Sequence, residues 1–259
     1  MLSENKIEKL QQFYQKQTAL VTSPFIDEQM HLNKKLFQSL QEKLGLSFSN
    51  QNILDIGCGT GILGTFFNDH HHYTGLDLNR RESFHVLSDD KHHYSQANAL
   101  FLPVQDSVMD IVICMDSFEH FPDQYRAARE IKRVLKPGGS FLLSVPNYAN
   151  IAGFIKYLYE YSGRYDKNTW APFDFWRPEE LEHFMTPARI KDIFTKAGFK
   201  SFCRFGYDKE VVVGLCPWVW HPEMPGKLAS LISKCIAPIS KALVKLWPES
   251  SLHTFWKIQ

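Results

Sequence analysis

The chain has 259 residues, with 29 Lys and Arg against 28 Asp and Glu, and a formal net charge of +1. This length is enough to bury a full core, and the near-neutral charge argues against a nucleic-acid-binding protein. No apolar run is long enough to span a bilayer, and the polar N-terminal stretch is not typical of a secretory signal peptide. The five cysteines form no C-x-x-C pair, so we expect reduced thiols in a cytoplasmic protein.

Two kinds of region follow one another along the chain. Apolar residues at helical spacing predict helices over residues 4–44, which would form an N-terminal cap over residues 1–50. From residue 51 onward strands alternate with helices, which predicts parallel βαβ units in a doubly wound sheet. The seven expected strands are NILDI, YTGLDL, HHYSQAN, MDIVICM, SFLLSVP, KSFCRFGYDKEVVVG and SLHTFWKIQ. The expected helices begin at ILGTFFND, DQYRAAREIKRVLK and TPARIKDIFTKAGF. Residues 51–259 would then form one α/β domain with insertions at about 147–183 and 216–248.

The first strand runs directly into a glycine-rich turn, DIGCGTG, over residues 55–61. Such a turn lets a nucleotide-like ligand approach the backbone, and read from Gly59 it also fits the dinucleotide fingerprint G-x-G-x-x-G. We expect the Asp55 carboxylate to lie at the mouth of the turn. There it would repel a pyrophosphate by several kcal/mol at an effective dielectric constant of about 20. It would attract an ammonium or sulfonium, the two cations of S-adenosylmethionine. Asp77 can accept hydrogen bonds from both ribose hydroxyls, which does not separate the two cofactors.

Five motifs then occur in a fixed order: DIGCGTG, GLDLN, ANALFLPVQDSVMDIV, SFEHFPD and REIKRVLKPGG. As a set they resemble the successive motifs of the class I S-adenosylmethionine-dependent methyltransferases, in the branch that contains the ubiquinone-biosynthesis enzymes. The resemblance covers residues 50–146 and, less fully, residues 184–200. It implies a Rossmann-like, mostly parallel sheet of seven strands, S-adenosylmethionine as the cofactor, and methyl transfer as the activity.

The resemblance also implies a cofactor site. Its pattern assigns Asp55, Gly57, Gly59 and Gly61 to the methionine part, Asp77 to the ribose hydroxyls, Leu78 to the adenine face, Asn98 and Ala99 to the adenine amino group, and Met115 to the sulfonium. The family commonly has Asp where this chain has Asn98. The side-chain oxygen of an Asn can still accept the adenine N–H, so we expect binding to survive.

The candidate catalytic residues are Glu119 and His120 in SFEHFPD, which follows the fourth strand. Methyl transfer needs a general base only where the acceptor is a hydroxyl or an ammonium, and His120 has an ordinary pKa near neutrality. The alternative is that this pair caps the next helix and contacts no substrate. One Glu and one His are too few ligands for a metal site, so we predict no metal.

Residues 227–247 carry four lysines in a narrow arc beside a broad apolar face, with no acidic residue between Met224 and Pro248. A basic amphipathic helix of this kind is typical of a membrane interface or of a lid over an apolar acceptor. The alternative is ordinary packing of the apolar face on the sheet with the lysines outward. Pro238 should kink or split the helix.

We therefore expect a methyltransferase acting at oxygen on a small-molecule or lipid-like acceptor, in the cytoplasm or peripherally at the inner face of a membrane. Aromatic residues between 148 and 176 would form the acceptor wall. Two alternatives remain open: a non-catalytic binding scaffold with the same fold, and an NAD(P)-dependent oxidoreductase.

Overall fold

The computed structural model describes residues 7–12, 38, 41–42, 50–67, 72–162, 182–220 and 224–259, apart from the side chains of Glu160 and Trp220. Seven strands form one sheet in the order β3-β2-β1-β4-β5-β7-β6. They are β1 (Asn52–Ile56), β2 (His72–Asp77), β3 (His92–Gln96), β4 (Met109–Met115), β5 (Leu135–Pro146), β6 (Phe202–Gly206) and β7 (His253–Ile258). Strands β1 to β5 are parallel, and β7 lies antiparallel between β5 and β6. The predicted doubly wound, mostly parallel sheet is confirmed.

Helices flank this sheet. They are α1 (residues 7–12), α2 (Ser83–Leu87), α3 (Gln124–Val134), α4 (Ile151–Tyr161), α5 (Pro187–Lys196), α6 (Val211–Leu215) and α7 (Gly226–Leu246). Short 3₁₀ turns occur at Ile62–Phe66, Phe118–His120, Asp208–Glu210, Pro217–Trp220 and Pro248–Ser250. None of the helices in the described part of the chain combines the length and the apolar character needed to cross a membrane. Most of the predicted cap over residues 1–50 lies outside the described residues.

The core has two layers because side chains alternate along each strand. In β1, Leu54 belongs to the layer that contains α3 and α5, and Ile53 belongs to the layer on the opposite face. Both side chains are fully buried, and burial of a side chain of this size contributes about 1.5–3 kcal/mol. Packing on both faces holds the carboxyl ends of the parallel strands together at one edge, which positions the site.

Local sequence signals define the ends of the two core helices. Asp123 caps α3 by accepting a hydrogen bond from the backbone N–H of Arg126, and Thr186 caps α5 in the same way. Pro187 occupies the first turn of α5, and Gly198 follows its end with φ of 93°. Of these signals, only Gly198 entered the prediction, as the end of the second helix.

The sixth expected strand is wrong beyond Gly206. Residues 208–215 are helical, although three consecutive valines in this stretch favour a strand. The reason is the length of the neighbouring strand: Gly206 pairs with Thr254 near the start of β7, so the residues after it have no strand to pair with. Val211 and Val213 are instead buried in α6.

Two further helix expectations differ from the structure. The helix expected to begin at Ile62 is only a 3₁₀ turn within the described residues. Helix α7 is not split at Pro238, which lies on the exposed side of an unbroken helix.

Candidate functional site

A cavity of about 190 Å³ opens at the carboxyl ends of β1, β2 and β4. Seven residues of the predicted site line it: Gly57, Gly59, Asp77, Leu78, Asn98, Ala99 and His120. Further lining residues, which the sequence did not single out, include Ile7, Leu10, Asn79, Arg81, Asp116, Ser117 and Phe121. Strand ends in a parallel sheet meet at one edge, so residues far apart in the chain share this cavity.

The glycine-rich turn presents its backbone to the cavity. Gly57 has φ of 76°, and a Cβ built on it would lie 2.5 Å from the Cβ of Ser117, so no larger residue fits. Gly59 has φ of 54°, and nothing lies within 4 Å of a Cβ built on it. The first glycine therefore allows close packing against the loop after β4, and the second keeps the turn open on the ligand side.

Asp77 anchors the turn and still has acceptor capacity toward the cavity. One carboxylate oxygen accepts the N–H of Gly59 and the other that of Asn79, both at 2.9 Å. Each oxygen keeps a second lone pair for a ligand hydroxyl. Burial raises the pKa of Asp77, and the two backbone hydrogen bonds oppose that rise.

Asn79 adds a second acceptor to the same wall. Its side-chain oxygen is buried and has no hydrogen-bond partner among the described residues. A buried polar atom without a partner is costly, so a ligand N–H or O–H at this position would be favourable.

Leu78 and Leu100 line the cavity together with Ile7 and Leu10 of α1, and α1 lies beside Leu78 because the Gln11 side chain donates a hydrogen bond to the Leu78 carbonyl. Nearby, the side-chain oxygen of Asn98 accepts the N–H of Leu100 at 2.9 Å. The oxygen on which the expected adenine contact depends therefore already accepts one backbone hydrogen bond. The contribution of α1 was missed, although Ile7 and Leu10 stand three positions apart and so share one helix face.

Asp55 does not lie at the mouth of the turn. It is 2% exposed, is absent from the cavity lining, and accepts a hydrogen bond of 2.5 Å from the Tyr73 hydroxyl. The expected geometry is wrong because Asp55 shares a strand face with Ile53, two positions earlier, and this face points to the layer that contains Tyr73. The carboxylate that does face the cavity is that of Asp77.

The burial of Asp55 should make the stability of the protein depend on pH. Burial raises the pKa of Asp55 from 3.8 to about 7, the Tyr73 hydrogen bond partly opposes this, and the charge of Asp77 adds to it. The folded state thus keeps this proton to higher pH than the unfolded state. The free energy of unfolding should therefore fall as the pH rises from about 4 to about 7, by up to about 4 kcal/mol from this group.

Asp55→Asn should remove that dependence, because the amide keeps an acceptor for Tyr73 and carries no charge. Urea unfolding between pH 4 and pH 8 measures the difference, with Asp90→Asn, an exposed site, as the matched control. Parallel pH profiles for Asp55→Asn and the wild type would show that Asp55 is not the buried acid described.

Gly61 and Met115 also stay outside the cavity lining. Gly61 has φ of 82°, and a Cβ there would lie 2.6 Å from the Tyr94 ring. The Met115 side chain packs on the core layer around Ile53 and Tyr73. Gly61 therefore packs the turn, and Met115 the end of β4, against neighbouring side chains, and neither residue lines the cavity.

Asp116 and His120 line the cavity after β4, on the other side of β1 from the residues that follow β2. The neighbouring Glu119 is 1% exposed and outside the lining, with one carboxylate oxygen 3.7 Å from Nε2 of His120. Its second oxygen is buried with no hydrogen-bond partner among the described residues. Burial raises the pKa of Glu119 well above its ordinary value, and the charges of Asp116 and Glu182 raise it further.

Asp116 connects the cavity wall to a half-buried histidine that the sequence did not reveal, His253. The Ser144 hydroxyl donates a hydrogen bond to Asp116, and Nε2 of His253 lies 4.0 Å from the same carboxylate oxygen. Nδ1 of His253 is 3.0 Å from Glu210. Burial lowers the pKa of His253, but the charges of Glu210 and Asp116 outweigh it and raise the pKa to about 10. His253 is therefore a cation at neutral pH, held between two carboxylates.

Comparison with known proteins identifies the family. A family model described as a methyltransferase domain matches residues 26–202. The chain belongs to this methyltransferase family. It is a class I methyltransferase of the ubiquinone- and menaquinone-like branch, with S-adenosylmethionine as its cofactor, as the motifs predicted.

Named relatives of this methyltransferase are distant. A demethylmenaquinone methyltransferase of Listeria monocytogenes serotype 4a is 29% identical over 173 residues, covering 60% of this chain and 71% of the relative. The 27-O-demethylrifamycin SV methyltransferase of Amycolatopsis mediterranei is 31% identical over 105 residues, covering 37% and 38%.

Solved structures share the fold of this methyltransferase. Phosphoethanolamine N-methyltransferase 2 of Haemonchus contortus, in complex with S-adenosylmethionine, superposes with a TM-score of 0.54 at 17% identity, covering 85% of this chain and 51% of that one. The cyclase SpnF superposes with a TM-score of 0.53 at 17% identity, covering 87% and 79%. At this identity, the likeness concerns the fold alone.

Proposed function

We propose that the protein binds S-adenosylmethionine in this cavity and methylates a hydroxyl oxygen of a small, lipid-like acceptor. The observation that carries the proposal is the chemical difference between the two sides of one cavity. The side after β2 offers the Asp77 and Asn79 acceptors beside apolar side chains, and the side after β4 offers Asp116 and His120.

The cofactor side suits the nucleoside part of S-adenosylmethionine. Asp77 would accept the ribose hydroxyls, and the adenine ring would lie between Leu78 and Leu10, near Asn98 and Ala99. Asn79 would supply a further acceptor. The backbone of Gly57 and Gly59 would face the methionine part, with Asp55, Gly61 and Met115 supporting the turn and the end of β4 without touching the ligand.

The acceptor side suits removal of a proton. The bound cofactor supplies an activated methyl group on a sulfonium. His120, half-buried at the cavity wall, would take the acceptor hydroxyl proton on a ring nitrogen as the oxygen attacks, and the adjacent Glu119, 3.7 Å from Nε2, would help to orient the ring. General-base assistance of this kind contributes about 10²–10⁴ in rate. We propose no metal ion in this step.

The acceptor class is inferred from relatives and from exposed apolar surface. The acceptors named for the two relatives are small molecules, and the rifamycin name specifies oxygen. Helix α4 follows β5 at the same sheet edge and leaves Phe154, Tyr157 and Tyr161 exposed, at 57%, 47% and 81%. Much of the predicted aromatic wall, residues 163–181, lies outside the described residues.

Calorimetric titration with S-adenosylhomocysteine and, in parallel, NADH tests the proposed cavity. We expect micromolar binding of the first ligand and none of the second. Binding of neither would favour the scaffold alternative, and binding of NADH alone would favour the oxidoreductase.

A transfer assay with labelled S-adenosylmethionine and amphipathic hydroxylated compounds tests the chemistry. His120→Gln should keep the affinity for S-adenosylhomocysteine and lose about 10²–10⁴ in rate. Full activity of His120→Gln would remove the proposed base, and a product methylated at carbon would remove the oxygen assignment.

A further inference from the structure

Among the described residues, helix α7 packs with one of its faces. It contacts α6, strand β6 and the 3₁₀ turns at Asp208–Glu210, Pro217–Trp220 and Pro248–Ser250. Its buried residues are Ser240 and Val244, and the partly buried Ile236 and Leu243 lie beside them. At about 100° per residue, these side chains share one side of the helix.

The opposite side carries an apolar stripe that the fold leaves uncovered. Leu228, Leu231, Ile239 and Leu246 are 45%, 58%, 55% and 87% exposed. At about 100° per residue they fall within an arc of about 80°, which does not overlap the packed face. The apolar residues of α7 therefore divide into two sets: one packs on the protein, as the alternative of ordinary packing expects, and the other is exposed.

A row of lysines borders this stripe. Lys227, Lys234, Lys241 and Lys245 are all exposed and fall within an arc of about 40° beside it. No Asp or Glu occurs between Met224 and Pro248, so the exposed half of the helix carries a single sign of charge. Tryptophans stand near both ends: Trp218, in the turn before α7, is 39% exposed, and Trp247 is 37% exposed.

We propose that α7 docks on an anionic lipid bilayer and lies in its interface. The apolar stripe would enter the boundary between headgroups and acyl chains, the lysines would contact lipid phosphates, and the tryptophan rings would sit at headgroup level. Each lysine near such a surface raises the partition coefficient about fivefold. A second copy of the chain fits this face less well, because a two-fold contact would bring lysine rows of the same sign together.

The surface of α7 that is proposed to bind a bilayer is distinct from the cofactor cavity, whose lining contains no residue of α7. Helix α7 packs against α6, and α6 packs against α4, the helix whose exposed aromatic side chains follow β5. The docked surface is thus connected to the acceptor side of the proposed site, so an acceptor dissolved in the bilayer would meet the protein there. Vesicle binding can be measured without cofactor or acceptor, so it stands or falls independently of the proposed function.

Co-sedimentation of the full chain with vesicles tests this surface. We compare vesicles of phosphatidylcholine alone with vesicles that also contain phosphatidylglycerol, at low and high salt. We expect binding to the anionic vesicles that weakens at high salt, and at least about tenfold weaker binding for Lys234→Glu/Lys241→Glu. The pair Lys191→Glu/Lys200→Glu changes the net charge equally at exposed positions away from α7, and should bind as the wild type does.

A second pair of substitutions tests the contribution of the apolar stripe separately from that of the lysines. Leu231→Gln/Ile239→Gln should also weaken binding at least about tenfold, whereas Val86→Gln, at an 85% exposed residue of α2, should not. Retained binding of S-adenosylhomocysteine shows that the variants are folded. Failure to bind anionic vesicles, or equal losses in the control variants, would overturn the proposal. So would a dimer of the wild type that Leu231→Gln/Ile239→Gln dissociates without any vesicle binding, since that result would assign the stripe to a second copy.

Discussion

Replacing Asp77 by Ala should weaken the binding of S-adenosylhomocysteine about 100-fold. The proposed contact is a pair of hydrogen bonds from ribose hydroxyls to one carboxylate, and a hydrogen bond to a charged group contributes about 1.5–3 kcal/mol. A total near 3 kcal/mol corresponds to about two orders of magnitude in the dissociation constant. Calorimetric titration of the two proteins measures the loss directly.

The control must separate a lost ligand contact from a damaged turn, because Asp77 also accepts the N–H groups of Gly59 and Asn79. Asp89 gives a close match: its carboxylate accepts the N–H groups of Lys91 and His92 at 2.8 Å and 2.7 Å, and it does not line the cavity. Asp89→Ala should bind S-adenosylhomocysteine as the wild type does. Unchanged affinity in Asp77→Ala would place the ribose elsewhere.

Asn79→Ala provides an independent check on the same wall. Loss of its side-chain oxygen should weaken binding about tenfold, in line with one neutral hydrogen bond. If Asp77→Ala weakens binding and Asn79→Ala does not, the ribose still contacts Asp77, and the Asn79 side chain does not contact the ligand.

Sequence patterns predicted those parts of the fold that depend on local signals. Strand β4 occupies the predicted residues Met109–Met115 because six of these seven residues are apolar and the run stands between turn signals. Gly57, Gly59 and Asp77 meet in one cavity because parallel strands end at the same edge, a consequence of topology alone. Those positions followed from the alternation of strands and helices.

Features that depend on distant partners could not be predicted in the same way. The alternation of side chains along β1 places Asp55 on the same strand face as Ile53. That the Tyr73 hydroxyl donates a hydrogen bond to Asp55 follows only from the packing of the sheet. His253 reaches Asp116 because β7 runs antiparallel beside β5, which brings together residues far apart in the chain. The helical Val211–Leu215 segment depends on where β7 begins, which strand propensity does not encode.

Glu182→Ala should destabilise the protein by about 3–5 kcal/mol, which is the largest loss of stability that we expect from a single charge. Lys156 on α4 is 0% exposed, and its ammonium lies 2.6 Å from the Tyr148 hydroxyl and 3.4 Å from the Glu182 carboxylate. The Tyr148 hydroxyl donates to the same carboxylate oxygen. Removing this carboxylate takes away a negative charge 3.4 Å from the buried ammonium, where little water can replace it, whereas water screens an exposed pair. Urea unfolding measures the difference.

The double variant Lys156→Met/Glu182→Leu distinguishes the cost of an uncompensated charge from the cost of a lost side chain, because apolar replacements of similar volume remove both charges together. It should recover most of the stability lost in Glu182→Ala. The exposed pair of Lys196 and Asp192, 2.8 Å apart, is the matched control, and Asp192→Ala should change the free energy of unfolding far less than Glu182→Ala does. Equal losses of stability in Glu182→Ala and Asp192→Ala would mean that water reaches Lys156.

The buried pair also lies next to the proposed site. The residue after Glu182, His183, donates its backbone N–H to the carbonyl of Glu119 at 2.8 Å. The buried pair thus helps to hold in place the loop that carries the proposed base.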